Sequence, residues 1–251
     1  MSPSASTIDD YRAQLRRCAQ ALAAARPDAL AGDVHGAGDA ARLKMFTDGN
    51  CEKRFEKLQD QLEVLADFAD DLDDLLEAYI RAVPLAAYDT GARDGLRFLD
   101  WLENRRPLSS EECDACAVLR GRGRVEELAE RERLRHVRFQ EALSAAEVLL
   151  DEWGTNDELR LIVNPIHDWE TFRTRAFLEE DDPLPARVAF FPVGNDIRTA
   201  VLEPEAEALL RRLAASGPSR LDELARRGAW EREEIAATAR DLIETGLAAL
   251  Q

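Results

Sequence analysis

The pattern of apolar and polar positions divides the chain into a long helical stretch and a short mixed one. In residues 52–82, Phe55, Leu58, Leu62, Leu65, Phe68 or Ala69, Leu72, Leu75, Leu76 and Tyr79 recur at helical spacing. One helix, ended near Pro84, is the expectation. Residues 7–26 repeat the pattern through Leu15, Cys18, Leu22 and Ala25, with Thr7 as cap and Asp10 at the matching capping-box position. Pro27, Gly32, Gly36 and Gly38 interrupt any period and make 27–41 a loop. A short helix follows over 93–103. Another begins at Ser109 or Ser110, with Glu111 and Glu112 in its first turn, and runs toward Trp153. Gly121-Arg122-Gly123 is its weak point. Residues 1–153 therefore read as an all-helical domain, and 154–185 as a connector with a first strand at 159–163.

The remainder, 186–251, changes period. Arg187-Val188-Ala189-Phe190-Phe191-Pro192-Val193 is an apolar run, and Gly194-Asn195-Asp196 is a turn. A second strand over 197–202 puts Ile197, Thr199 and Val201 on one face. Three helices follow. The first spans 203–215 and closes at Ser216-Gly217-Pro218. The second is capped by Ser219 and stopped by Gly228, and the third spans 231–245 with Gly246 as its stop. The fold class expected is mainly α: an N-terminal helical domain joined to a C-terminal winged-helix-like α+β domain. A module of this plan binds a partner and seldom performs chemistry.

Several spacings in 186–251 resemble a known family. They are Leu202-Glu203-Pro204-Glu205-Ala206 with Leu209-Leu210 and Leu213, then Gly217-Pro218-Ser219-Arg220-Leu221-Asp222-Glu223-Leu224-Ala225, then Leu242-Ile243-Glu244-Thr245-Gly246-Leu247. They are similar to the precursor-peptide recognition elements, relatives of the pyrroloquinoline quinone peptide chaperone. That resemblance implies that the chain holds the leader of a ribosomally made precursor peptide. Tyr79-Ile80-Arg81-Ala82-Val83-Pro84-Leu85 and Phe98-Leu99-Asp100-Trp101-Leu102 extend it. A helical domain ahead of such an element resembles the partner proteins of multinuclear non-haem iron oxidases. This implies a heterodimer in which iron belongs to the partner enzyme and this chain, itself no enzyme, carries no cofactor.

Within that reading, the strand over 197–202 is expected at a sheet edge, where an extended peptide adds a further strand. Side-chain pockets between this strand and the third helix then give selectivity. Thr199 and Val201, with Ile197 on the same face, form one wall; Ile235, Ala239 and Leu242 form the other. Arg198 and Arg240 are expected to pair with acidic leader residues.

Charge weighs against the other binding role of such a module. The chain carries −17, and 12 basic against 19 acidic residues in 156–251 give −7 there, leaving −10 in 1–155. Nucleic-acid affinity draws on Lys and Arg contacts to phosphate. The third helix opens with Glu231, Glu233 and Glu234, so no nucleic-acid partner is expected, although a transcription regulator is the first alternative. Arg211, Arg212, Arg226 and Arg227 read as solvated helix faces. Asp67, Asp70, Asp71 and Asp74 form one acidic stripe at helical spacing, read as a solvated face with a docking surface as its functional alternative.

Chemistry-bearing motifs are sparse. Cys113-Asp114-Ala115-Cys116 places two thiols one helical turn apart. Zinc needs four ligands, and Cys18 and Cys51 have no neighbouring ligand in sequence. A thiol-dependent enzyme using Cys113 and Cys116 is the second alternative; small buried helix residues are the reading preferred. His35, His136 and His167 are scattered. Asn164-Pro165-Ile166-His167-Asp168-Trp169 reads as a turn before a short helix, with Asp168 as cap. No nucleophile elbow, phosphate loop, dinucleotide glycine pattern or zinc-protease motif occurs. No apolar run is long enough for a membrane span, the first residues lack the order of a secretion signal, and four cysteines are too few for a disulfide framework. A reduced, cytoplasmic protein is expected.

Overall fold

The computed structural model describes Ala13 and residues 37–83, 94–150, 152, 153, 156, 158–227 and 230–251. The expected helix over 7–26, with Cys18, lies outside the described residues apart from Ala13, as do His35, Pro84, Leu85 and Gly228. The chain is mainly helical, with small antiparallel sheets. It forms two compact units, Met1–Glu112 and Cys113–Gln251. This division falls inside a helix, well before the expected boundary at 153.

In the first unit, α1 (Ala37–Gln61), α2 (Glu63–Ala66), α3 (Leu72–Ala82) and α4 (Asp94–Arg105) stand where one helix over 52–82 and one over 93–103 were expected. α1 starts within the expected loop. The long helix is broken twice. Leu62 leaves helical geometry at φ −109° and ψ 15°, and 67–71 forms a turn region. Asp67, Asp70 and Asp71 compete for backbone hydrogen bonds and favour such a break. Folding back lets Leu58, Leu62, Leu65, Leu72, Leu75, Leu76 and Tyr79 be buried together, which one straight helix cannot do. The acidic stripe is therefore not one helix face. Its four residues are exposed, and Asp71 pairs with Arg106 at 3.3 Å.

A partly buried ion pair joins three of these helices. Arg54 donates from Nε and Nη2 to the two oxygens of Asp94 at 2.6 and 2.8 Å, and from Nη1 to the Val83 carbonyl at 2.7 Å. Tyr79 donates to Asp94 Oδ1 at 2.7 Å beneath the guanidinium, and its ring meets the edges of Phe98 and Trp101. Burial, together with that bond to Asp94, pushes the Tyr79 phenol well above its ordinary pKa. Removing one partner leaves the other charge partly desolvated and without its counter-ion, which destabilises this helical unit.

α5 (Ser110–Arg131) begins in the first unit and continues unbroken into the second, past the glycines expected to interrupt it. Its start is a capping box: Ser109 Oγ accepts from Glu112 N at 3.1 Å, and Glu112 Oε2 accepts from Ser109 N at 2.7 Å. A break comes instead at Glu132, before α6 (Arg133–Leu149).

The second unit then runs β1 (Leu161–Val163), β2 (Asp168–Phe172), β3 (Ala186–Val193), β4 (Asp196–Val201), α7 (Pro204–Ser216), α8 (Leu221–Arg227), α9 (Arg232–Thr245) and β5 (Ala248–Leu250). The hairpin and its three helices match the expected order. Ser219 does not cap α8 as expected; its hydroxyl donates to the Gly217 carbonyl. The connector is more structured than expected, because Asp168 opens strand β2 and caps no helix. β2, β3 and β4 form one antiparallel sheet in that order, while β1 pairs with β5. Phe139 and Ala146 of α6, with Trp153, share one buried cluster with Ala189, Phe191, Leu209, Leu213, Ile235, Leu242 and Leu250. α6 is thus part of this unit's core and not of a separate N-terminal domain.

Two buried polar residues fasten this unit. Asp114 accepts from Arg173 N at 2.9 Å, and from Thr174 N and Oγ1 at 2.7 and 2.6 Å, anchoring the chain after β2 to α5. Asn164 donates to the carbonyls of Pro192 and Gly246, both at 3.2 Å, and accepts from Ile166 N at 3.0 Å. It ties the ends of β1, β3 and α9.

Candidate functional site

β4 is an edge strand. Its register with β3 runs from Val193↔Asp196 to Val188↔Val201, and no other described strand pairs with it. Gly194 and Asn195 alone connect the strands, with Gly194 at φ +62°, a left-handed conformation that glycine takes without strain. In a two-residue turn the Asp196 N–H points back to the Val193 carbonyl. Alternation then directs the backbone groups of Arg198 and Ala200 toward β3, and those of Ile197, Thr199 and Val201 to the open edge.

The two faces of the hairpin differ. Ala189, Phe191 and Val193 lie in or against the cluster that holds α9. Their partners on β4 are Ala200, Arg198 and Asp196. Phe190 sits on the opposite face against α5, where a Cβ built on Gly121 would come within 2.6 Å of its ring. Thr199 pairs with Phe190 and Val201 with Val188, so both project away from α9.

Between β4 and α9 lies a groove of about 420 Å³, lined by Phe191, Arg198, Thr199, Ala200, Asp241, Glu244 and Thr245. It occupies the place expected of a pocket between the strand and the third helix, but its walls differ. Arg198 and Thr199 line it; Ile197 and Val201 are half-buried and do not. Ile235, Ala239 and Leu242 are 0%, 0% and 1% exposed and belong to the core. Their spacing is the inner stripe of α9, and the groove meets the residues one step around the helix. Arg240 is exposed outside the lining. Asp241 and Glu244 were missed because hydrophobic periodicity marks a helix's core face and leaves the flank beside a neighbouring strand unmarked.

A second groove, of about 480 Å³, lies where α6 and α7 border β1, with Arg135, Arg138, Phe139, Ile162, Leu213 and Pro218 among its walls. Here the strand is occupied: β1 pairs with β5 on one side, and Leu161 exchanges backbone bonds with Ser219 at 2.8 and 3.1 Å on the other.

The thiol motif sits elsewhere. Cys113 is half-buried, Cys116 is fully buried, and both are thiols on α5. The residue between them that acts on the structure is Asp114. Among the described residues, no group of three His, Cys, Asp or Glu is placed to hold a metal ion, and no helix is long and apolar enough to cross a membrane. Comparison with models of known protein families, with curated proteins and with solved structures finds no match to this chain.

Proposed function

We propose that this chain binds the leader of a ribosomally made precursor peptide through its winged-helix-like C-terminal module, adding the leader as a further strand on β4. It then presents the peptide to a separate modifying enzyme, a multinuclear non-haem iron oxidase, as the non-catalytic member of a heterodimer. The observation that carries the first part is the open edge of β4, with the backbone groups of Ile197, Thr199 and Val201 facing outward beside a groove. Strand addition uses those groups for affinity and side-chain pockets for selectivity. The enzyme partner, the iron it would carry and the cytoplasmic setting rest on the sequence resemblance and on composition alone. The acidic flank of α9 favours a peptide over DNA in this groove, because phosphates would face Asp241 and Glu244.

The test is calorimetry with leader peptides selected for binding to the full-length chain, on variants that keep the wild-type circular dichroism spectrum. Thr199→Pro removes an outward donor without removing a hairpin bond; Thr199→Ser keeps it. The proline variant is expected to lose at least about tenfold in affinity, roughly 1.4 kcal/mol, and the serine variant none. Equal affinity for the two would sink strand addition.

A further inference from the structure

The charges around this groove select among peptides. Asp241 and Glu244 stand three residues apart on α9 and are exposed along the groove, on one helix face. Arg198 faces them from β4, and Phe191 and Ala200 form an apolar floor. None of the three charged side chains is ion-paired with a described residue. Two carboxylates against one guanidinium leave the groove with one net negative charge.

We propose that the segment added to β4 carries a Lys or Arg whose side chain lies across Phe191 and Ala200 and ends between Asp241 and Glu244. This rests on strand addition to β4 and names the peptide class that such addition selects. Side chains of an added strand alternate between the two faces of the sheet. Those on the same face as Arg198 and Ala200 point to the α9 wall. A long cationic side chain suits that path, since its methylene stem covers apolar surface while its head stays at the wet, charged rim. An acidic side chain in the same position meets two like charges and is rejected, which gives selectivity by repulsion as well as attraction. Arg198 opposes a second cation beside the first and limits the groove to one. Arg198 is thereby assigned to limiting cations instead of pairing with acidic leader residues, and Arg240 stands outside the groove lining.

The experiment is selection from a displayed library of random peptides on the full-length chain. It is followed by affinity measurement of the enriched peptides on wild type, on Asp241→Asn with Glu244→Gln, and on Thr199→Pro, each shown to be folded. The expected result is enrichment of Lys or Arg at one fixed position. Affinity should fall about tenfold in the double variant, a weaker salt dependence should accompany it, and Thr199→Pro should lose binding. Peptides that bind through Thr199 but are enriched in Asp or Glu, or that bind the double variant as tightly as wild type, overturn the charge assignment and leave strand addition standing. Enriched peptides indifferent to Thr199→Pro, or the absence of any, overturn both.

Discussion

Asp114 shows how residue-scale roles hide behind more conspicuous neighbours. The sequence draws attention to Cys113 and Cys116, whose spacing suits a redox pair or half a metal site. The side chain between them holds the backbone after β2 through three donors. No local pattern reveals this, because its partners lie about sixty residues away, at Arg173 and Thr174. Asn164 is hidden for the same reason. Glu112 is the opposite case: Ser109-x-x-Glu112 is legible as a capping box, and the structure adds Arg106, whose Nη2 and Nη1 reach the carboxylate at 2.5 and 3.1 Å. The Arg106 bonds hold the Glu112 pKa below its ordinary value of 4.5, against the opposing effect of burial. A carboxyl whose pKa is lower folded than unfolded stabilises the fold above its unfolded pKa, and that share is lost as pH falls through the folded value. Glu112→Gln is therefore expected to lower the thermal midpoint at pH 7. The gap should close once acid has protonated the wild-type carboxyl, and a gap that persists unchanged at low pH would show that the charge is not the cause.

At the scale of elements, the sequence places the hairpin, α7 and α9 within a residue or two, because turn glycines and helix stops are local signals. It misses β2. Asp168 and Glu170 depress strand propensity, and their compensation is distant: Arg124 of α5 contacts them at 3.2 and 2.9 Å. It also misreads Gly121 as a helix interruption. Within a helix glycine costs about 1 kcal/mol relative to alanine, yet α5 needs it so that the Phe190 ring can lie against the backbone. A Cβ at position 121 would stand 2.6–2.7 Å from three ring atoms, and the fully buried ring has little freedom to move aside. Gly121→Ala is expected to destabilise the protein even though alanine is the better helix former, since overpacking typically costs about 1–3 kcal/mol. Adding Phe190→Leu should recover part of the loss, a coupling measurable by a double-mutant cycle in denaturant. Additive effects of the two changes would mean that the ring contact is not what the glycine serves. The face of β4 was legible in part. Period two groups Ile197, Thr199 and Val201, but only the packing of β3 between α5 and α9 decides which group meets which helix.

For the whole molecule, the placement of α6 decides where the peptide-binding part begins. Sequence alone ends the helical domain at residue 153, because a run of helices looks like one domain until its buried partners are known. Phe139, Ala146 and Trp153 instead lie in the cluster formed by α7, α8, α9 and β5, and Leu143 and Leu150 pack against it. Burying a large apolar side chain contributes about 1.5–3 kcal/mol, so Phe139 and Trp153 alone amount to a sizeable part of the roughly 5–15 kcal/mol that keeps a domain folded. Asp114 and Gly121 of α5 fasten the strands on the other face. A fragment covering 154–251 lacks both supports, although it contains the whole region that resembles a recognition element. A fragment covering 109–251 keeps them, together with the Ser109–Glu112 cap. The shorter fragment is expected to show no cooperative thermal transition by circular dichroism, and the longer one a single sharp transition. Cooperative unfolding of 154–251 by itself would show that α6 covers a module already complete without it.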